Sequence, residues 1–352
     1  MKIGIIGGSS QVACSVSYYL KKYVDIEVVC FIRSSYSKIF FDLLNITVDF
    51  IDLNNKEDIK EKLANCNAII DFTYPTGELF SISKSIEEII EKIISSLPEN
   101  QVYIYMSSIM AYGMPSSEKY IKNYFIPRSS YSYIKRKAEK KCLQMGNKYK
   151  IKAYNFRLGQ THGFLQSINT SFREKLLQND IAFINGHDHE LTNTVFINSI
   201  AEAIIKFCKG QEKPGTYTLI SHPQWTLKQL YSYYLEFYKI PTVLKFIPKK
   251  TTKKRGSFNV LKILKRYRSL LETYVLMKMP SLSLKIKGKY RINEIKLLTD
   301  TNPQNFEYID FNLLGTPNGQ LIDEINSTYK TVFKLEKEME DHYTRMIDLK
   351  RV

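Results

Sequence analysis

Short, continuously apolar runs alternate with longer stretches of helical period through the first 165 residues of this chain. "KIGII" stops at Gly7-Gly8 and leads into "QVACSVSYYLKKY", whose apolar spacing suits a helix. "IEVVCFIR", "ITVDFID", "NAIIDFTY" and "QVYIYMSS" follow as further runs, with "NKEDIKEKLAN" and "ISKSIEEIIEKIISSL" helical between them. Runs apolar on both sides belong in a parallel sheet covered by helices on both faces. The expected fold is therefore α/β and doubly wound over residues 1–165. After "IKAYNFRLG" the alternation weakens, while "FINSIAEAIIKFCKG" and "GTYTLI" read as one more helix and strand, so that about 191–222 rejoins the sheet. Residues 166–190 and 223–310 are expected to form a smaller, mostly helical substrate-binding region, and 311–352 a C-terminal helical segment.

At 352 residues, 44% of them hydrophobic and 24% charged, the chain has enough apolar surface for one large or two modest cores. No apolar run approaches the roughly 18 residues of a membrane span. A strand beginning at Lys2 leaves no room for a signal peptide, so a cytoplasmic location is expected. Cys14, Cys30, Cys66, Cys142 and Cys208 are scattered and never paired as CxxC, which points to buried thiols rather than disulfides or zinc.

The net charge of +16 is concentrated: residues 245–296 hold sixteen Lys or Arg against Glu272 and Glu294. Within this segment "FNVLKILKRYRSLLETYVLMKM" carries an apolar helical stripe flanked by cations. Three uses stay open: packing within the protein, peripheral association of 258–279 with an anionic membrane surface, or attraction of an anionic substrate. No nucleic-acid partner is expected, since no recognition module accompanies the charge. The charged C-terminal stretch could pair with a second subunit as a homodimer.

A glycine-rich turn between the first strand and first helix of such a sheet brings backbone amides and a helix N-terminus to a pyrophosphate. Here Gly7, Ser9, Ser10, Gln11 and Val12 make the turn, with Ser10 and Ala13 where further glycines would stand in a G-x-x-G-x-x-G spacing. Taken alone, the turn leaves dinucleotide binding and an ordinary tight turn equally open. At the end of the second strand a carboxylate would select NAD and an arginine NADP. Ile32 is followed by Arg33 with no acid nearby, which leans to NADP and leaves NAD open. Asp52 and Leu53, at the end of the third strand, are candidates for the adenine edge; Asp52 also reads as a simple helix-start residue.

"RSSYSYIKRKAEKK" places a tyrosine four residues before a lysine twice, as Tyr131 with Lys135 and Tyr133 with Lys137. Residues four apart share a helix face, so either pair could set a phenol beside an ammonium. Four features in order resemble the extended short-chain dehydrogenase/reductase family of nucleotide-sugar epimerases, dehydratases and ketoreductases. They are the Gly7 turn, "SSIMAYG" like S-S-x-x-V-Y-G, "YSYIKRKAE" like Y-x-x-x-K-x-x-x-E, and "FRLGQTHG" like R-P-x-x-x-Y-G. With "TVFINSIAEAI" and "GTYTLI", the resemblance covers residues 1 to 230 and implies a Rossmann-type sheet.

The resemblance chooses the register, because Glu139 stands four after Lys135 whereas Lys141 stands four after Lys137. It implies that Tyr131 is the acid and base, that Lys135 holds the nicotinamide ribose and favours the phenolate, and that Ser108 bonds the same substrate oxygen. Tyr133, Arg136, Lys137 and Lys140 are then expected on the outer face. Family members that remove water carry an acid directly after this serine. Here Ile109 and Met110 follow, which disfavours a dehydratase and leaves an epimerase or ketoreductase acting on a nucleotide-linked sugar. Ile109, Met110 and His162 are placed toward the substrate, with structural use of His162 equally open. The alternative is a catalytically idle dinucleotide-binding sensor or scaffold that meets a membrane or partner through the basic helix. "NGHDHE" offers His187 and His189 on one face of a hairpin turn but lacks further ligands, so no metal is expected. Trp225 is expected to pack ahead of a helix.

Overall fold

A computed structural model describes residues 1–33, 44–75, 79–112, 130–163, 166–178, 180–189, 192–221 and 225–247, positions 38, 41 and 42, and the backbone of the strand Phe311–Pro317. The basic segment beyond residue 247 and the C-terminal stretch beyond 317 lie outside the described residues, as do the expectations attached to them.

The strands are β1 (Lys2–Ile6), β2 (Glu27–Ile32), β3 (Thr47–Phe50), β4 (Ala68–Asp71), β5 (Val102–Ser108), β6 (Lys152–Leu158), β7 (Gln160–His162), β8 (Ile181–Asn185), β9 (Thr194–Phe196), β10 (Gly215–Ser221), β11 (Val243–Ile247) and β12 (Phe311–Pro317). The helices are α1 (Gln11–Leu20), α2 (Lys56–Leu63), α3 (Leu79–Ile94), α4 (Ser130–Tyr149), α5 (Ser167–Leu177), α6 (Ile197–Cys208) and α7 (Leu227–Tyr238).

Eight strands form the main sheet in the order β12-β10-β6-β5-β4-β1-β2-β3. All neighbours pair in parallel except β12, which runs antiparallel to β10. The expected helix at 311–317 is thus an edge strand. Its seven backbones complete the ladder of β10, and Gly315 and Pro317, poor strand formers elsewhere, are tolerated on an edge.

The apolar strands bury both faces, as their composition requires. One face carries α1 and α6 over a core that includes Ile3, Ile5, Val16, Ile104, Phe156 and Ile200. The other carries α2, α3 and α4 over Ile69, Ile86, Ile90, Tyr103, Ile134 and Cys142. Burying a Leu- or Ile-sized side chain contributes about 1.5–3 kcal/mol, so these two layers dominate stability. All five cysteines are buried thiols outside any disulfide.

A third cluster joins Leu176, Ile184, Phe196, Trp225, Leu230 and Tyr234 in the later region. Trp225 is 6% exposed and directly precedes α7, whose Thr226 and Gln229 form a capping box. Expected to be mostly helical, this region also holds a two-stranded parallel sheet, β8 with β11. The hairpin expected around residues 187–190 does not form: β8 pairs with β11 and β9 with β7, both in parallel. His187 and His189 stack at 5.5 Å on the connecting turn. Among the described residues no helix is long and apolar enough to cross a membrane.

Strand order reverses between β1 and β4, and in open α/β sheets the crevice beyond the C-terminal strand ends at that point is where ligands bind.

Candidate active site

Two groups of residues meet at this crevice. The first begins at Gly7, whose φ of +70° is a left-handed conformation natural to glycine. A Cβ at Gly7 would also lie 2.8 Å from the Phe72 carbonyl carbon at the end of β4. The turn closes with the Ser10 amide donating to the Gly7 carbonyl at 3.1 Å, and Ser10 then caps α1 by accepting from the Ala13 amide at 3.2 Å. The N-terminus of α1 is thereby aimed past the β1 end, where unpaired amides and the helix dipole favour an anion.

Beside it opens a cavity of about 480 Å³ lined by Gly7, Ser9, Ser10, Arg33, Asp52 and Leu53, and bounded across by Ser85, Glu88 and Lys92 of α3. Arg33 is exposed at the end of β2. Asp52 is partly committed elsewhere: its carboxylate accepts from the Asn54 amide at 2.9 Å in the turn before α2, while Asn55, not Asp52, caps that helix. Gln11 and Val12 do not line the cavity. Val12 packs on the core, and the Gln11 carbonyl accepts from Ser15 Oγ at 2.8 Å. Helix N-terminus, serine hydroxyls and guanidinium together form a donor set that could hold the pyrophosphate and ribose of a dinucleotide.

The second group sits at the end of β5. Ser108 Oγ accepts from the Met110 amide at 3.3 Å and lies near enough to the Tyr131 hydroxyl to favour its phenolate. Lys135, one helical turn on, donates to the Met106 carbonyl at 2.7 Å. Its Nζ lies 4.7 Å from the ring centre of Tyr105, 5.5 Å from Tyr74 and 5.9 Å from Tyr131. The structure therefore brings Ser108, Tyr131 and Lys135 together, while Tyr133 turns outward with its ring against Lys137.

Burial lowers the pKa of Lys135 to about 8, against the opposing pull of the Asp71 and Glu139 carboxylates. Burial also pushes the Tyr131 phenol up to about 12, opposed by the Ser108 hydroxyl and reinforced by Tyr74, although the residue as a whole is 36% exposed. The neighbouring ammonium leads one to expect a depressed phenol pKa. In the structure desolvation raises it instead, and Lys135 is directed to a backbone carbonyl.

Beneath the pair lies a network that sequence reasoning did not find. Glu139 accepts from Arg157 Nε at 2.8 Å, Arg157 Nη2 at 2.6 Å and Ser107 Oγ at 2.6 Å. Arg136, expected outside, is 5% exposed and reaches Glu139 at 3.6 Å. Burial would raise the Glu139 carboxyl, but the two arginines and Ser107 hold it below the usual carboxylate range. Arg157 lay within the quoted "FRLG" motif, yet its pairing depends on β6 passing under α4.

His162 is fully buried, its Nδ1 3.1 Å from the Tyr234 hydroxyl and its ring 5.3 Å from that of Phe172. In the structure it packs between these two rings, the structural use that the sequence left open. Ile109 is buried and Met110 half-buried in the turn after β5. Tyr74, just past β4, was also missed: its ring centre is 5.2 Å from that of Tyr131.

Residues 3–216 match the model of the NAD dependent epimerase/dehydratase family. No curated protein matches the chain. Among solved structures, it is similar to UDP-N-acetylglucosamine 4-epimerase from Bacillus cereus, with 16% identity and a TM-score of 0.57, over 73% of this chain and 89% of that one. UDP-glucuronic acid 4-epimerase from Bacillus cereus, solved with NAD, aligns at 16% identity and a TM-score of 0.54, over 71% and 88%. ADP-L-glycero-D-manno-heptose-6-epimerase from Helicobacter pylori aligns at 16% and 0.54, over 71% and 85%. At this identity the likeness to these structures is one of fold.

Proposed function

Because this chain belongs to the NAD dependent epimerase/dehydratase family, we propose that it acts on a nucleotide-linked sugar by hydride transfer, as an epimerase or ketoreductase, with Tyr131 as acid and base. The observation that carries this reading is the gathering of Ser108 at the end of β5 with Tyr131 and Lys135 one turn apart on α4, at the crevice shared with the nucleotide-sized cavity. Similar folds solved as UDP-sugar 4-epimerases support the substrate class.

When bound, the nicotinamide supplies the hydride acceptor and donor. Gly7, Ser9, Ser10 and the start of α1 would hold its pyrophosphate, and Lys135 the adjoining ribose. Ser108 and Tyr131 converge on one point, so a substrate hydroxyl placed there bonds both. Tyr131 takes its proton as the carbon is oxidised and returns it to the oxygen on reduction. A phenol pKa near 12 suits the proton-giving direction, while the base direction relies on the Lys135 charge to favour the phenolate. Ile109 and Met110 offer no second proton-transfer group, which supports epimerisation or reduction over loss of water. Arg33 supports NADP, and the neighbour solved with NAD supports that cofactor.

Denaturing the purified protein and analysing what it releases separates these routes. Stoichiometric NAD supports an epimerase that recycles its hydride, and preferential filling by NADPH supports a reductase. Failure to bind either dinucleotide sinks the proposal.

A further inference from the structure

The proposed mechanism uses Lys135 as a cation, yet the residue is 5% exposed, donates one hydrogen bond to a backbone carbonyl and faces three tyrosine rings. A buried ammonium needs an anion to remain charged. Two carboxylates face it from the elements packed around it. Glu139, on its own helix, is already engaged by the Arg157 guanidinium and approached by Arg136, so much of its field is balanced. The other is Asp71, at the last position of β4, with 0% exposure.

Asp71 accepts from the Tyr103 hydroxyl and, at 2.7 Å, from the Thr73 amide. Neither partner carries a positive charge. Tyr103 and Tyr105 lie two apart on β5 and so point to one face of the sheet, the face that α4 covers. Asp71 is the register partner of Tyr105, whose ring lies under the Lys135 ammonium. The carboxylate is thus held on the Lys135 side of the sheet by two neutral donors, with no guanidinium against it among the described residues; burial pushes its pKa up, and Tyr103, Thr73 and the Lys135 charge pull it back down.

We infer that Asp71, fixed by Tyr103 and the Thr73 amide, is a positioning residue of this site: the buried counterion that keeps Lys135 protonated so that its charge can act on Tyr131. The inference rests on the proposed use of Lys135 and Tyr131. The groups facing Lys135 are Asp71 from β4, Tyr74 after it, Tyr105 from β5, and Tyr131 and Glu139 from α4. The three phenols are neutral over the working range, which leaves the carboxylates to set the field.

The test reads the charge of Lys135 directly. In protein labelled with carbon-13 at the lysine side chains, the Lys135 Cε resonance, assigned by its loss in Lys135→Met, is followed against pH in wild type, Asp71→Asn and Tyr103→Phe. Asp71→Asn keeps one acceptor oxygen, for the Thr73 amide, sets its amide nitrogen toward the Tyr103 oxygen and removes the charge; its Lys135 midpoint falls by about one pH unit or more, the effect of losing a nearby opposite charge. Tyr103→Phe leaves the carboxylate in place without its phenol donor and moves the midpoint the same way by less. It keeps the question answerable if Asp71→Asn does not fold. An unchanged midpoint in the folded variants overturns the inference. If the midpoint falls and the alkaline limb of turnover moves with it, both the inference and the catalytic reading stand. If the midpoint falls while no nucleotide sugar is turned over by wild type, Asp71 is the counterion and the catalytic reading fails.

Discussion

Truncating Glu139 to alanine removes the carboxylate that Arg157 and Arg136 face. The pair is buried to a degree that excludes solvent screening, with Arg157 and Glu139 side chains 0% and 1% exposed. Three charge-assisted hydrogen bonds end on this carboxylate. At about 1.5–3 kcal/mol each they would sum to more than any single truncation usually costs. Removing one partner of a buried ion pair costs about 3–5 kcal/mol, and that range applies here. Urea unfolding followed by circular dichroism should show that loss in Glu139→Ala, and a smaller one in Glu139→Gln, which keeps the shape and one acceptor. The opposite case is Glu99 with Lys150, whose side chains are 62% and 71% exposed at a similar distance of 3.1 Å; Glu99→Ala should unfold with wild type. Because Glu139 is held below its ordinary pKa, its contribution is complete above the ordinary carboxylate range and is lost as pH falls through the lowered value. The gap between wild type and Glu139→Ala should accordingly narrow in acid. If Glu139→Ala loses no more than Glu99→Ala, the network is not what ties α4 to β6 and the reasoning fails.

Lys135 gives a pH dependence of the same sign in an alkaline window. Its pKa of about 8 in the fold lies below the free value of 10.5, so between these the unfolded chain holds more protons and stability rises with pH. Relative to Lys135→Met, wild type should gain about 3 kcal/mol over that range, at about 1.4 kcal/mol per unit; parallel curves would show that the ammonium is not desolvated. Arg33→Ala should lower affinity for NADPH by about 10- to 100-fold, the worth of charge-assisted hydrogen bonds to a 2′-phosphate, and leave NADH unchanged in titrations of intrinsic fluorescence; equal losses for both cofactors would remove the basis for NADP. Gly7→Ala forces a side chain into a left-handed backbone 2.8 Å from Phe72, and should cost more than about 1 kcal/mol in thermal unfolding together with loss of dinucleotide binding.

The sheet was legible because its signal is local. Runs such as Ile3–Ile6 and Ala68–Ile70 are apolar on both faces, and the helix between β3 and β4 announces itself by period. That Lys135 and Glu139 share a helix face was legible too, from the spacing that the resemblance picked out, and both are buried. What failed depended on neighbours far along the chain. Arg136 reads as a surface cation until β6 supplies Arg157 and the carboxylate between them draws it in. Asp71 and Tyr74 follow a short apolar strand with no motif about them, and gain meaning only when α4 crosses above. His162 carried a plausible site role by position, but α5 and α7 enclose it with Phe172 and Tyr234. The edge strand β12 was hidden because "FNLLGTP" has its apolar residues bunched rather than alternating, and it is specified by the open edge of β10.

The central claim, that Tyr131 moves the proton of a nucleotide-linked sugar, is tested most directly by comparing wild type with Tyr131→Phe. A panel of UDP-sugars is incubated with each protein and NAD(P)(H), and the products are resolved by proton NMR. The account predicts conversion of at least one sugar by wild type and a loss of about 100- to 10,000-fold in the variant, with dinucleotide binding retained. Turnover by Tyr131→Phe at the wild-type rate would contradict it.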